Sequence, residues 1–90
     1  MNDTTRTANH LLEDLDNLRH MLGAKGRVRD YGYRNYYNTS DAGPDVESMK
    51  RLQELGFVEP GRPNYWHATK AGCKAIGFNA KQIRNALHDE

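Results

Sequence analysis

Between Asp45 and Ile76 the chain reads DVESMKRLQELGFVEPGRPNYWHATKAGCKAI, a stretch with room for a helix, a tight hairpin and a second helix, in that order, and for little else. Val46, Met49, Leu52 and Leu55 fall on one side of a helix, and Gly56 follows as the residue able to take the left-handed conformation that closes it. Phe57 and Val58 start a strand. Glu59 to Asn64 is dense in turn formers, and Tyr65 to Thr69 is an aromatic and β-branched return strand, so Phe57-Val58 is expected to pair with Tyr65 to Thr69 across a turn centred on Pro60 to Asn64. Thr69 stands where a cap for the next helix belongs, and Gly77 stops that helix.

The flanks fill in around this unit. A first helix is expected to begin after Thr5 or Thr7 and to run to Leu22, with Ala8, Leu11, Leu12, Leu15, Leu18 and Leu22 as an apolar stripe and Glu13, Asp14, Asp16 and Arg19 facing outward. Gly23 ends it. The stripe packs on the hairpin and later helices or forms a helical dimerisation surface. Residues 24–43 hold three of the eight glycines and four of the five tyrosines. They show no sustained period and read as a loop or short strand near Arg27 to Tyr31, then at most two turns of helix around Arg34 to Asn38. Gly43-Pro44-Asp45 opens the next helix, since proline suits the first helical position and acids there complement the dipole. Asn79 can cap a last helix carrying Ile83, Ala86 and Leu87. Leu11, Leu15, Leu18, Leu52, Leu55, Trp66 and Ile76 are the expected core.

Ninety residues make one domain, residues 1–90, and a chain of this length buries only about 60 % of its unfolded surface, leaving little room for an enclosed catalytic pocket. Thirteen basic residues stand against 12 acidic ones, for a net charge of +1. Positive charge concentrates in residues 23–39 and 59–90, and negative charge in 1–22 and 40–58, so two basic patches either bracket a phosphate backbone or are solvated surface. The single cysteine, Cys73, excludes an internal disulfide and reads as a buried, inert thiol. No apolar run approaches a membrane span, and the polar start MNDTTRTANH is unlike a signal peptide, so no membrane association and a cytoplasmic location are expected.

The segment from Leu52 to Val58, the basic turn at Arg62, and Tyr65-Trp66-His67-Ala68-Thr69-Lys70-Ala71-Gly72 together resemble the winged helix-turn-helix superfamily, whose members commonly show a Leu-x-x-x-Gly-Leu/Phe-Val turn, a basic wing and Tyr-x-x-Thr-x-x-Gly. The match covers roughly a third of the chain. The chain's size and its Tyr-Arg-Asn-Tyr-Tyr segment resemble small bacteriophage and prophage proteins. The resemblance implies an α+β, winged-helix-like domain, mostly helical with a two-stranded β-hairpin wing. In a standard winged helix, residues 24–43 would supply the first strand and a full second helix, for which this stretch is short.

Candidate contacts follow from residue chemistry. From Arg27 to Tyr37, guanidinium groups alternate with aromatic rings; Arg27, Arg29 and Arg34 suit phosphates, while Tyr33 and Tyr36 suit bases or a protein partner. On the helix opened by Pro44, which the resemblance puts in the recognition position, Ser48, Lys50 and Arg51 offer contacts to base or backbone, although Asp41, Asp45 and Glu47 would face phosphates. Arg62 sits on a stiff turn tip, where the resembling family reaches a minor groove or a neighbouring phosphate. His10, His20, His67 and His88 do not fall at metal-ligand spacing with one another or with Cys73, and no phosphate loop, nucleophile elbow or paired-carboxylate motif is present. The expectation is therefore a non-enzyme without cofactor or metal. It is either a small protein of phage type that binds double-stranded DNA or regulates transcription, with its terminal helices as a candidate homodimer contact, or an interaction module that binds or inhibits a host protein.

Overall fold

Helix α1, Asp3–Met21, opens a computed structural model that describes residues 3–25 and 31–87. Leu18, Met21 and Leu22 are fully buried and Leu15 is partly buried against them. Leu11 and Leu12, expected in the same stripe, are 42% and 69% exposed. The reason lies in the next helix, α2, Pro44–Glu54. Asp14 meets Arg51 and Asn17 meets Ser48, an antiparallel register that brings Leu11 level with the point where α2 ends. At 1.5 Å of rise per residue the shorter helix covers only part of the longer one. Leu55, also expected inside, lies at that end and is 52% exposed.

Three helix ends share one closing arrangement. After Leu22, Leu55 and Ile76, the glycines Gly23, Gly56 and Gly77 take φ values of 70°, 81° and 86°. In each case the glycine N–H donates to a carbonyl three residues back and the following N–H donates to one five residues back, at 2.8 to 3.1 Å: Gly56 to Gln53 and Phe57 to Leu52 at the second, for example. This is the Schellman geometry, which satisfies otherwise orphaned carbonyls and reverses the chain. The starts are equally local. Thr69 Oγ1 accepts the Gly72 N–H at 3.1 Å at the head of α3, Lys70–Ala75. Before α4, Ala80–Leu87, Asn79 and Gln82 exchange side-chain bonds to each other's backbone N–H at 2.8 and 2.9 Å, a reciprocal capping box.

Strands β2, Val58–Pro60, and β3, Tyr65–Ala68, pair antiparallel with Val58 opposite Ala68 and Glu59 opposite His67. The turn is tight: Tyr65 N–H donates to Arg62 O at 2.8 Å, with Pro63 then Asn64 at φ 68° in the two central positions, the residue pattern of a type II turn. The sheet has a third strand, which corrects the expected two-stranded hairpin. Tyr37–Asn38 forms β1 on the other side of β3, giving the order β1-β3-β2. No helix forms over Arg34 to Asn38, because the unpaired edge of β3 offers these backbone groups partners that two isolated helical turns could not supply.

Trp66 and Ala68 point from β3 into the core, while Tyr65 and His67 point to the opposite face and are only half-buried. Trp66 Nε1 donates to Thr39 Oγ1 at 3.2 Å, so the indole is buried with its polar atom satisfied. Met49, Leu52, Val58, Cys73, Phe78 and Ile83 complete the interior between helices and sheet, with Ile76 partly buried at its border.

Candidate functional site

Two of the expected contact residues belong to the seam between α1 and α2 instead of to a surface. Ser48 has no exposed surface; its hydroxyl donates to Asp14 Oδ1 at 2.6 Å and accepts from Asn17 Nδ2 at 2.9 Å. Arg51 binds the same carboxylate twice, Nε to Oδ2 at 2.8 Å and Nη2 to Oδ1 at 2.7 Å. Asp14, expected to face water, is 2% exposed. Burying the carboxylate is tolerable because three donors surround it, and those donors leave Ser48 and Arg51 without freedom to read a base. The carboxylate in turn holds the Arg51 guanidinium further above its usual pKa. Of the three expected contacts on α2, Lys50 alone is exposed, 4.0 Å from Glu47, with Asp45 and Glu47 in the first turn.

Of the other described candidates, Arg34, Tyr36 and Arg62 gather on the outward face of the sheet. A groove of about 670 Å³ is lined by Tyr36, Glu59, Arg62, Tyr65 and His67, with Ala86 and Leu87 of α4 along one wall. Arg62 Cζ lies 4.9 Å from the centre of the Tyr65 ring, and Arg34 Cζ lies 4.4 Å from that of Tyr36. Each guanidinium thus rests on a π-face, which orients it without consuming its N–H donors. Arg34 makes one long bond, Nη2 to Tyr36 O at 3.5 Å, and its Nε is buried without a partner among the described residues. Tyr33 lies elsewhere: its ring covers Gly23 at the end of α1 and is 70% exposed. Arg27 and Arg29 lie outside the described residues.

Asn35 builds this face, and nothing in the sequence singled it out. Its side-chain amide accepts the Ala68 N–H at 2.7 Å and donates to Ala68 O at 3.2 Å, imitating the backbone of a strand residue, and it also reaches Ala86 O of α4 at 3.4 Å. In the β1-β3 register the residue facing Ala68 would be Asn35 itself, so a side chain continues the ladder where the main chain turns away. The Asn35 carbonyl pairs with His67 Nδ1 at 2.9 Å, which requires the proton on Nδ1, and Gly61 leaves room for the other ring nitrogen. The readable signal was an asparagine amid tyrosines, which marks a turn as readily as a strap.

Two groups have their chemistry shifted by burial. The Tyr37 hydroxyl is raised above its usual pKa by burial and then by the neighbouring Asp45 carboxylate. Burial pushes the Cys73 thiol up to about 11, which suppresses the nucleophilic thiolate. Among the described residues, no three His, Cys, Asp or Glu side chains gather as a metal site requires, and no helix is long and apolar enough to cross a membrane. Comparison with models of protein families, with curated proteins and with solved structures returns no match.

Proposed function

We propose that this chain is a non-enzymatic DNA-binding protein on a winged-helix-like scaffold, and that it contacts phosphates from the hairpin side of the sheet instead of through α2. The observation that carries the reading is the pair of arginines, Arg34 and Arg62, each laid over a tyrosine at the border of one groove. A guanidinium laid on a ring is oriented without its N–H donors, which leaves donors of Arg62, and those of Arg34 other than its buried Nε and bonded Nη2, to phosphate oxygens, and the rings beside them offer stacking surfaces. The winged-helix reading draws support from the succession of helix, hairpin and capped helix, and from β1 as a first strand beside the hairpin. Against the usual role of the recognition helix stand the occupied Ser48 and Arg51 and the acids at the head of α2.

Titration of DNA at two salt concentrations tests this. Arg34→Ala and Arg62→Ala should each weaken binding to all sequences and lower the salt slope by about one, as loss of one phosphate contact does, while Lys50→Ala has a smaller effect. Binding indifferent to both arginines would remove the proposal. The exposed rings of Tyr33 and Tyr36, 70% and 46% accessible, favour a second reading, an adaptor or inhibitor of a host protein. In that case Tyr33→Ala and Tyr36→Ala outweigh either arginine, as aromatic anchors do at protein interfaces.

A further inference from the structure

We infer that the groove takes an unpaired nucleobase from single-stranded DNA, with guanine as the preferred base; the inference rests on the DNA-binding reading and names the form of its ligand. The groove combines two chemistries that a duplex surface would not need together. Its rim carries cations, Arg62 on the hairpin and Arg34 over Tyr36, whereas its lining carries the carboxylate of Glu59 next to the aromatic rings of Tyr65 and His67. Glu59 and His67 are cross-strand partners on β2 and β3 and project from the same face. A phosphate is attracted to the rim and repelled by Glu59. A base is accommodated at Glu59, because its π-face can lie on a tyrosine while its edge donates hydrogen bonds to the carboxylate.

The carboxylate is acceptor-only when ionised, so it selects bases by the donors they present. Guanine's Watson–Crick edge offers two adjacent donors, N1–H and the N2 amine, which match the two oxygens of one carboxylate. Cytosine and adenine offer an amine beside an acceptor. Thymine offers one N–H between two carbonyls, and those carbonyls oppose the carboxylate. These edges are free only in an unpaired strand. The apolar wall at Ala86 and Leu87 excludes water on one side, so a base that leaves solvent also covers apolar surface.

The test uses the full chain and short oligothymidylates carrying one central dG, dA, dC or dT, beside a duplex of the same length, with affinity read by fluorescence anisotropy. The single strand with central dG should bind at least about tenfold more tightly than the duplex, consistent with the contribution of one stacked base. It should also bind about tenfold more tightly than the all-thymidine strand. Glu59→Gln should bring the dG strand to the affinity at which the all-thymidine strand binds the same variant, whereas loss of structure would remove binding of both. Tyr36→Ala should weaken the single strand more than the duplex, because the single strand loses a stacking ring as well as the seat of Arg34. Glu59 and Tyr36 are both exposed, and unchanged melting of the variants separates recognition from folding. Duplex binding that matches or exceeds single-strand binding, or a base preference that survives Glu59→Gln, overturns the inference while the DNA-binding reading stands. Absence of binding to either form of DNA, with or without capture of an acidic peptide such as oligoglutamate, overturns both.

Discussion

Replacing Asp14 with alanine should be among the most damaging single substitutions in this chain, although a helical reading puts Asp14 on the water side. The carboxylate accepts from Ser48 Oγ and from two nitrogens of Arg51, all between 2.6 and 2.8 Å, and its side chain is only 3% exposed. Alanine leaves the guanidinium and the hydroxyl facing a vacated site. Removing one partner of a fully buried ion pair costs about 3–5 kcal/mol. Arg51 keeps 33% of its side chain in contact with water and can partly rehydrate, which lowers the expectation to about 2–4 kcal/mol. A domain of this size loses about 4–8 °C of Tm per kcal/mol, so the melting temperature should fall by roughly 8–32 °C. Thermal and urea melts of Asp14→Ala, Arg51→Met and the double variant provide the assay. The double variant should be less damaged than the two singles added together, by about 1–3 kcal/mol, because removing both charges leaves neither unpaired. An Asp14→Ala protein within about 0.5 kcal/mol of the parent, or strictly additive singles, would refute the reasoning.

Gly72→Ala should destabilise by about 1–3 kcal/mol despite the higher helix propensity of alanine, because the added Cβ would collide with Phe57 O, a backbone atom that cannot rotate away; an unchanged urea midpoint would contradict this. Leu52→Ala should cost about 2–5 kcal/mol, whereas Leu55→Ala, at a site 52% exposed, should stay within about 0.5 kcal/mol; paired thermal melts compare the two. Cys73 should react with a thiol reagent at pH 8 only as fast as the chain opens, so that urea below the transition accelerates labelling. Its folded pKa of about 11 lies above the ordinary 9.0, so stability should be intact below pH 9.0 and decline as pH rises toward 11, where the unfolded chain ionises first. Cys73→Ala melted across that pH range should lose this component of the decline.

The local punctuation of the chain was legible from residue types alone. Gly23, Gly56 and Gly77 end helices, Thr69 and Asn79 begin them, and Pro60 to Asn64 turns the hairpin, because each depends on φ freedom or on a side chain reaching backbone two or three residues away. The inward face of β3 was equally readable, since strict alternation sends Trp66 and its neighbours to opposite sides. Long-range register was not. Whether Asp14 faces water depends on what α2 brings to that side of α1, and the partners, Ser48 and Arg51, lie 34 and 37 residues along the chain. The same register leaves Leu11 and Leu55 exposed where their periodicity alone suggested burial. Tyr37 and Asn38 become a strand only because β3 presents an open edge, and Asn35 is a strap only because Ala68 and the end of α4 meet beside it. The groove is decided at the same level: Arg34 and Tyr36 were marked by their chemistry and Arg62 by its turn, but the sheet sets them together and adds Glu59 and His67. Caps and turns close within a few residues and so are written in sequence, whereas a buried carboxylate or a shared groove is a property of distances that exist only after the helices and strands have docked.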